Sequence, residues 1–207
     1  MAIIHNTTLQ PSKLELLSAW LPGRPWFVGD TPSLQRAGGF RLDDPSGEVG
    51  IEFIITRDQA TGRAYLVPMT YRAVADDELA DALIGTMEHG VLGTRYTYDG
   101  ARDPVAVAQL IALINGEAVA QAQTQSDTVD PSIRRTAGGR ELAAAPDAPI
   151  SVVEGADRTD INVGASTVRL HRHLDDADPA TDEPGSITGP WRTVSGKSTR
   201  GRLVSLH

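Results

Sequence analysis

The chain has 207 residues, of which 40% are hydrophobic, 22% charged and 5% aromatic, enough to bury a core in one domain or two small ones. Its formal net charge of −8 argues against a nucleic-acid platform and against an anionic-membrane adaptor, since both need a basic surface. The absence of cysteine excludes disulfides, thiolate zinc sites, iron–sulfur clusters and cysteine nucleophiles.

The first ten residues lack the basic start and apolar run of a signal peptide. The most apolar stretch, Pro104 to Ala122, is broken by Gln109, Asn115, Gly116 and Glu117 and is too polar to span a bilayer. A cytoplasmic protein is the expectation.

Ser12 and Glu15 have the spacing of a capping box, and Leu14, Leu17, Ser18 and Leu21 share one face, so the pattern predicts a helix over 12–21 stopped by Pro22. Residues 22–39 read as a loop rich in Pro and Gly, with a short strand at Trp26–Val28. Phe40–Leu42 leads into a turn at Asp43–Gly47. Val49–Arg57 and Arg63–Tyr71 alternate and flank a turn at Gln59–Gly62, which predicts an antiparallel hairpin. Pro68 cannot donate to a ladder, so the second strand is expected at an edge or a bulge. A short helix over 76–82 follows, then a second hairpin from Leu83–Glu88 and Gly93–Tyr98. Asp103 as N-cap and Pro104 at the first turn open the clearest helix, with an apolar stripe of Val107, Leu110, Ile111, Ile114 and Ala118 and an end between 118 and 125. The polar stretch Gln121 to Asp130 reads as a linker.

After Pro131 the helical period is lost. Short strand-like pieces at 133–136, 150–154, 159–163, 166–173, 187–193 and 202–206 predict a small antiparallel β unit. The fold class expected is α+β: an antiparallel sheet with two main helices over 1–128, then the β unit over 132–207, which either stands apart or packs on the first.

The motifs that carry chemistry are weak. Gly196-Lys197-Ser198-Thr199 resembles the end of a phosphate loop, but Trp191 stands where the first glycine belongs and no helix follows, so a hairpin turn is favoured. His171 and His173 alternate near Asp175, Asp176 and Asp178, yet no third metal ligand is placed by the pattern. Glu88 and His89 point to opposite faces of a strand unless a turn joins them. Trp20, Trp26 and Trp191 read as core or core-edge residues rather than sugar platforms.

Two longer words do carry a resemblance. Ala19-Trp20-Leu21-Pro22-Gly23-Arg24-Pro25-Trp26-Phe27 and Tyr98-Asp99-Gly100-Ala101-Arg102-Asp103-Pro104 resemble the N-terminal cap domain of actinobacterial maltokinases, over about residues 1–128. The stretch 152–174 is similar to the glycine-turn strands of the kinase N-lobe. That similarity implies a reduced N-lobe in which Gly155 and Arg169 take the cofactor-binding places, with arginine standing where the kinases use lysine. Phosphoryl transfer needs metal-binding carboxylates and a base held over the nucleotide. No candidate for that lobe follows, so the resemblance implies a cap-like protein that has no cofactor of its own.

The expected role is a non-catalytic accessory, binding or regulatory protein in maltose, trehalose or α-glucan metabolism. Its expected partners are a sugar-metabolism enzyme or a second copy, with no nucleic acid and no membrane. The alternative is a sugar-kinase component that binds ATP through Arg169 and Gly155 and is active only with a catalytic partner. A branching enzyme, suggested only by naming among similar chains, needs paired carboxylates on a large barrel and ranks last.

Overall fold

A computed structural model describes residues 9–123, 125, 127–138, 149–176 and 183–207. The first strand, β1 (Leu9–Gln10), leads into α1 (Lys13–Trp20), whose N-cap Ser12 closes the expected capping box with Glu15. A 3-10 turn at Leu21–Gly23 ends it one residue short of the predicted 21. Then come β2 (Leu34–Leu42), β3 (Gly50–Asp58) and β4 (Ala64–Arg72). A 3-10 helix over Asp77–Ala82 precedes the hairpin β5 (Leu83–His89) and β6 (Gly93–Asp99). The second helix, α2 (Pro104–Asn115), starts on Asp103 as expected. It ends earlier than the apolar stripe suggests, because Gly116 adopts φ +86° and turns its N–H onto the carbonyls of Ala112 and Leu113.

The later strands are β7 (Arg134–Thr136), β8 (Ile150–Glu154), β9 (Arg158–Val163), β10 (Ser166–His171), β11 (His173–Leu174), β12 (Ser186–Arg192) and β13 (Ser198–Leu206). All strand pairs are antiparallel, in the order β1-β5-β6-β4-β3-β2-β12-β13-β10-β9-β8, with β11 on β4 and β7 on β12. The chain is therefore mainly β, and the α+β expectation is corrected. Among the described residues its two α-helices, of 8 and 12 residues, cover the faces of a sheet that supplies most of the structure.

Three local expectations change. Trp26–Val28 is loop, and β2 begins inside the stretch read as loop, at Leu34. Strand β4 lies inside the sheet, not at its edge. Pro68 falls in the gap between the β6 ladder at Met69–Arg72 and the β11 ladder at Ala64–Tyr65, where no ladder donor is required. The Gly196 segment is the β12–β13 turn that the missing phosphate-loop features favoured.

Strand β3 is buried on both faces. Ile51, Phe53 and Ile55 join a core with Leu110, Ile111 and Ile114 of α2, and that core continues through Ile161, Val168, Leu170, Ile187, Trp191 and Val204 of the later strands. Phe40 stacks on Phe53 within it at 4.6 Å. On the opposite face, Ile54 joins Leu16 and Leu17 of α1 with Trp26, Tyr65, Val67 and Met69. The β2–β12 contact is a single residue pair, Gly38 opposite Trp191. A Cβ on Gly38 would stand 2.9 Å from the Pro190 carbonyl oxygen, so only glycine permits this approach.

Candidate functional site

Because β3 alternates, Glu52 shares the α1 face with Ile54. A carboxylate in that position needs partners, and four side chains supply them. Lys13 of α1 donates to its Oε2. Tyr71 Oη of β4 donates to the same oxygen at 2.8 Å. Arg36 of β2 reaches Oε1 at 3.0 Å, and Gln123 Nε2 reaches it at 3.1 Å. Only 3% of the Glu52 side chain is exposed. Burial pushes this carboxyl up, but Lys13, Arg36 and Tyr71 outweigh it and hold it below its usual value, so it is ionised at neutral pH. Burial and the Glu52 charge push the Tyr71 phenol well above its ordinary value, so it remains a donor.

This cluster lies in the wall of a cavity of about 1120 Å³. The cavity is bounded by α1, by strands β2 to β4, by the turn at 43–50, by the loop at 73–78 and by the β5–β6 hairpin. Asp44 spends its carboxylate inside the first of these turns, accepting from the amides of Ser46, Glu48 and Val49. Arg72 crosses the cavity edge to hold Asp103 with two bonds of 2.9 Å, fixing the N-cap of α2. Gln123 reaches the site because Gln121 pairs with Arg41 and Ala122 N donates to Thr128 O, which folds the expected linker back onto the sheet.

The residues picked out from the sequence lie elsewhere. Arg169, on β10, faces Asp160 across the β9 ladder and grips it through Nε at 2.7 Å and Nη2 at 2.9 Å. Gly155 sits in the β8–β9 turn, its amide donating to Arg158 O. Neither lines the cavity. His171 meets Ser205 Oγ at 3.0 Å, whereas His173 meets the Trp26 carbonyl, so the two rings serve different contacts. Among the described residues no group of three His, Asp or Glu is placed to hold a metal ion, and Asp178 lies outside those residues. Asp176 instead pairs with Arg57 at 2.7 Å and accepts from Trp191 Nε1. Glu88 accepts from Thr94, and His89 Nδ1 accepts turn amides of Val91 and Leu92. No helix among the described residues is long and apolar enough to cross a membrane.

The two family-like words fold as structure. Trp26 is fully buried, with Trp20 edge-on at 5.9 Å, and Arg24 lies over the Trp20 ring at 4.7 Å. Asp99 accepts two bonds from Arg172, and Asp103 caps α2. Residues 20–103 match the maltokinase N-terminal cap domain. This cap segment thus takes in both words except for Ala19 and Pro104, and most of the cavity wall, with Leu9, Lys13 and Gln123 added from outside it. No curated protein matches the chain.

The sequence reading missed every member of the Glu52 cluster. One signal was present: Glu52 is the lone ionisable residue in the run Ile51-Glu52-Phe53-Ile54-Ile55, and a charge inside an apolar strand calls for buried partners.

Proposed function

We propose that the protein is a non-catalytic accessory or regulatory component of maltose and α-glucan metabolism, acting beside a sugar-processing enzyme. The observation that carries this reading is the cap segment at 20–103. The arrangement of its polar groups supports it. Asp99 and Asp103 are occupied by Arg172 and Arg72, and Glu52 is held ionised by its four donors. A carboxylate so held is a poor general acid, because it has no proton to give near neutral pH. The cap's signature residues therefore build a scaffold, and the chemistry belongs to the partner.

The test is a coupled phosphotransfer assay with maltose, ATP and magnesium. The purified chain alone is expected to give no maltose-dependent ADP release, and its addition is expected to change the turnover of a sugar kinase acting on maltose. Maltose phosphorylation by the chain alone would overturn the reading.

A further inference from the structure

The cavity over Glu52 is mixed in charge, with acid in the majority. Seven carboxylates and five basic side chains line it. Lys13 and Arg36 pair with Glu52, Arg72 pairs with Asp76 and Asp103, and Asp44 accepts from amides of its own turn. Among the described residues the exposed Glu48, Asp77 and Glu78 make no salt bridge, and neither do Arg41 and Arg95. The stretch Ala73 to Ala82 carries the acidic side beyond the lining, with Asp76, Asp77, Glu78 and Asp81 and no basic residue.

The same opening is apolar at its edge. Val74 in the 73–78 loop is 75% exposed, and Leu92 in the β5–β6 turn is 43% exposed, with Val91 beside it at 62%. Val74 and Leu92 both line the cavity, and Leu9, Leu42, Val49 and Met87 continue the apolar surface inward. Single hydrophobics scattered over a surface are ordinary, whereas several around one opening mark an interaction site. At about 1120 Å³ the cavity is also larger than the usual small-molecule pocket, which spans about 300–1000 Å³. Its floor presents donors as well. Five positions apart on a regular strand, Arg36 and Arg41 would point to opposite faces. The β2–β3 register shifts between Arg36 and Gly38, and both arginines line this one cavity.

We infer that the cavity docks a polypeptide segment of a partner protein, in which an apolar anchor is flanked by lysine or arginine. A polypeptide presents all three kinds of group that this lining complements. Its apolar side chain covers Val74 and Leu92 and enters the apolar interior. Its cationic side chains meet Glu48, Asp77 and Glu78 at the rim. Its backbone carbonyls accept from Arg41 and Arg95 without bringing a countercharge. A phosphorylated ligand meets the acidic majority, and a neutral sugar leaves the rim carboxylates and the exposed valine and leucine without partners. The inference rests on the accessory reading, for which it supplies the surface that meets the partner.

The test is selection of linear peptides from a random phage-display library on the immobilised full chain. Labelled synthetic copies of the enriched peptides are then titrated by fluorescence anisotropy. The enriched peptides are expected to combine an aliphatic or aromatic anchor with flanking lysine or arginine, and their binding should weaken as salt is raised. Val74→Ser combined with Leu92→Ser should weaken binding about tenfold or more, the effect of truncating interface anchors. Asp77→Asn combined with Glu78→Gln should weaken it several-fold and flatten the salt dependence. Val194→Ser, which removes a comparably exposed valine at the β12–β13 turn, should bind like the parent. All these positions are exposed, so melting temperatures should stay close to the parent's and lost binding cannot be read as unfolding. A selection that enriches nothing, enriched peptides of net negative charge, either double variant binding like the parent, or an equal loss in Val194→Ser would each overturn the site. Displacement of the peptide by maltose would assign the cavity to a sugar and overturn it as well. Phosphotransfer is not read in this experiment, so the docking site and the accessory role fail separately.

Discussion

Asp99→Ala removes one partner of the most deeply buried ion pair described. The Arg172 side chain is fully buried and that of Asp99 is 2% exposed. Arg172 donates to both Asp99 oxygens at 3.2 and 3.0 Å, to Thr159 Oγ1 at 2.7 Å and to the Leu66 carbonyl at 3.2 Å, and its guanidinium lies over the Trp26 ring at 4.6 Å. Without Asp99 the charge stays buried with only neutral acceptors, which costs about 3–5 kcal/mol. For a chain of this size, each kcal/mol lowers the melting temperature by about 2–4 °C, so the variant should melt roughly 6–20 °C lower. Urea unfolding followed by tryptophan fluorescence measures the loss. Trp26 under Arg172 gives a local reporter. The double variant Asp99→Ala with Arg172→Met removes both charges and should recover part of the stability. A loss below about 1 kcal/mol in the single variant, or a double variant whose cost equals the sum of the singles, would refute the reasoning.

Two further outcomes are expected besides the phosphotransfer result. The His171 imidazole is pushed down to about 4, by burial first and then by the charges of Arg202 and Arg169. Its folded value lies below the ordinary 6.5, so its contribution is complete above about pH 6.5 and is lost as pH falls towards 4, by up to about 3 kcal/mol. Melting temperatures from pH 7.5 to 4.5 should therefore fall less steeply for His171→Gln than for the parent, and parallel curves would refute the assignment. Gly39→Ala should destabilise by about 1–3 kcal/mol from the positive φ alone. Its Cβ would also stand 2.5 Å from Gln123 Nε2, so the Gln123 bond to Glu52 should be lost with it. Thermal melting reads the first effect, and a melting temperature equal to the parent's would count against both.

Local signals were legible in the sequence and distant ones were not. The capping box at Ser12 and the Asp103–Pro104 start of α2 depend on residues within one turn, and both stand as expected. The β3–β4 and β5–β6 hairpins were legible for the same reason, since alternation and a turn are neighbours in sequence. The Gly116 stop lost to an apolar stripe that ran past it to Ala118, although its left-handed conformation is what ends the helix. The Glu52 cluster was illegible because its members come from α1, β2, β3, β4 and the 121–130 stretch, which only the sheet order brings together. That Arg36 and Arg41 line one cavity depends further on a register shift in β2 that no period-2 reading of Phe40–Leu42 contains.

The family-like words take on a common meaning once their contacts are traced. Trp26 from the first word and Asp99 from the second both end on Arg172, which lies outside the matched stretch, next to β11. Trp26 supplies the ring beneath the guanidinium, and its Nε1 donates to Glu154 of β8 at 3.2 Å. Asp99 supplies the countercharge, and Arg102 from the same word reaches Glu154 at 3.6 Å. Arg57 of the cap segment repeats the pattern, holding Asp176 and the Arg192 carbonyl. A cation or indole buried on one side of each contact is left unpaired if the other side leaves, so the cap segment and the later strands stabilise each other. Both words therefore carry residues that bind the matched segment to the rest of the chain. Glu52 and its partners Lys13, Arg36, Tyr71 and Gln123 fall outside both words, so the resemblance gave no pointer to that cluster and only the sheet geometry brings it together.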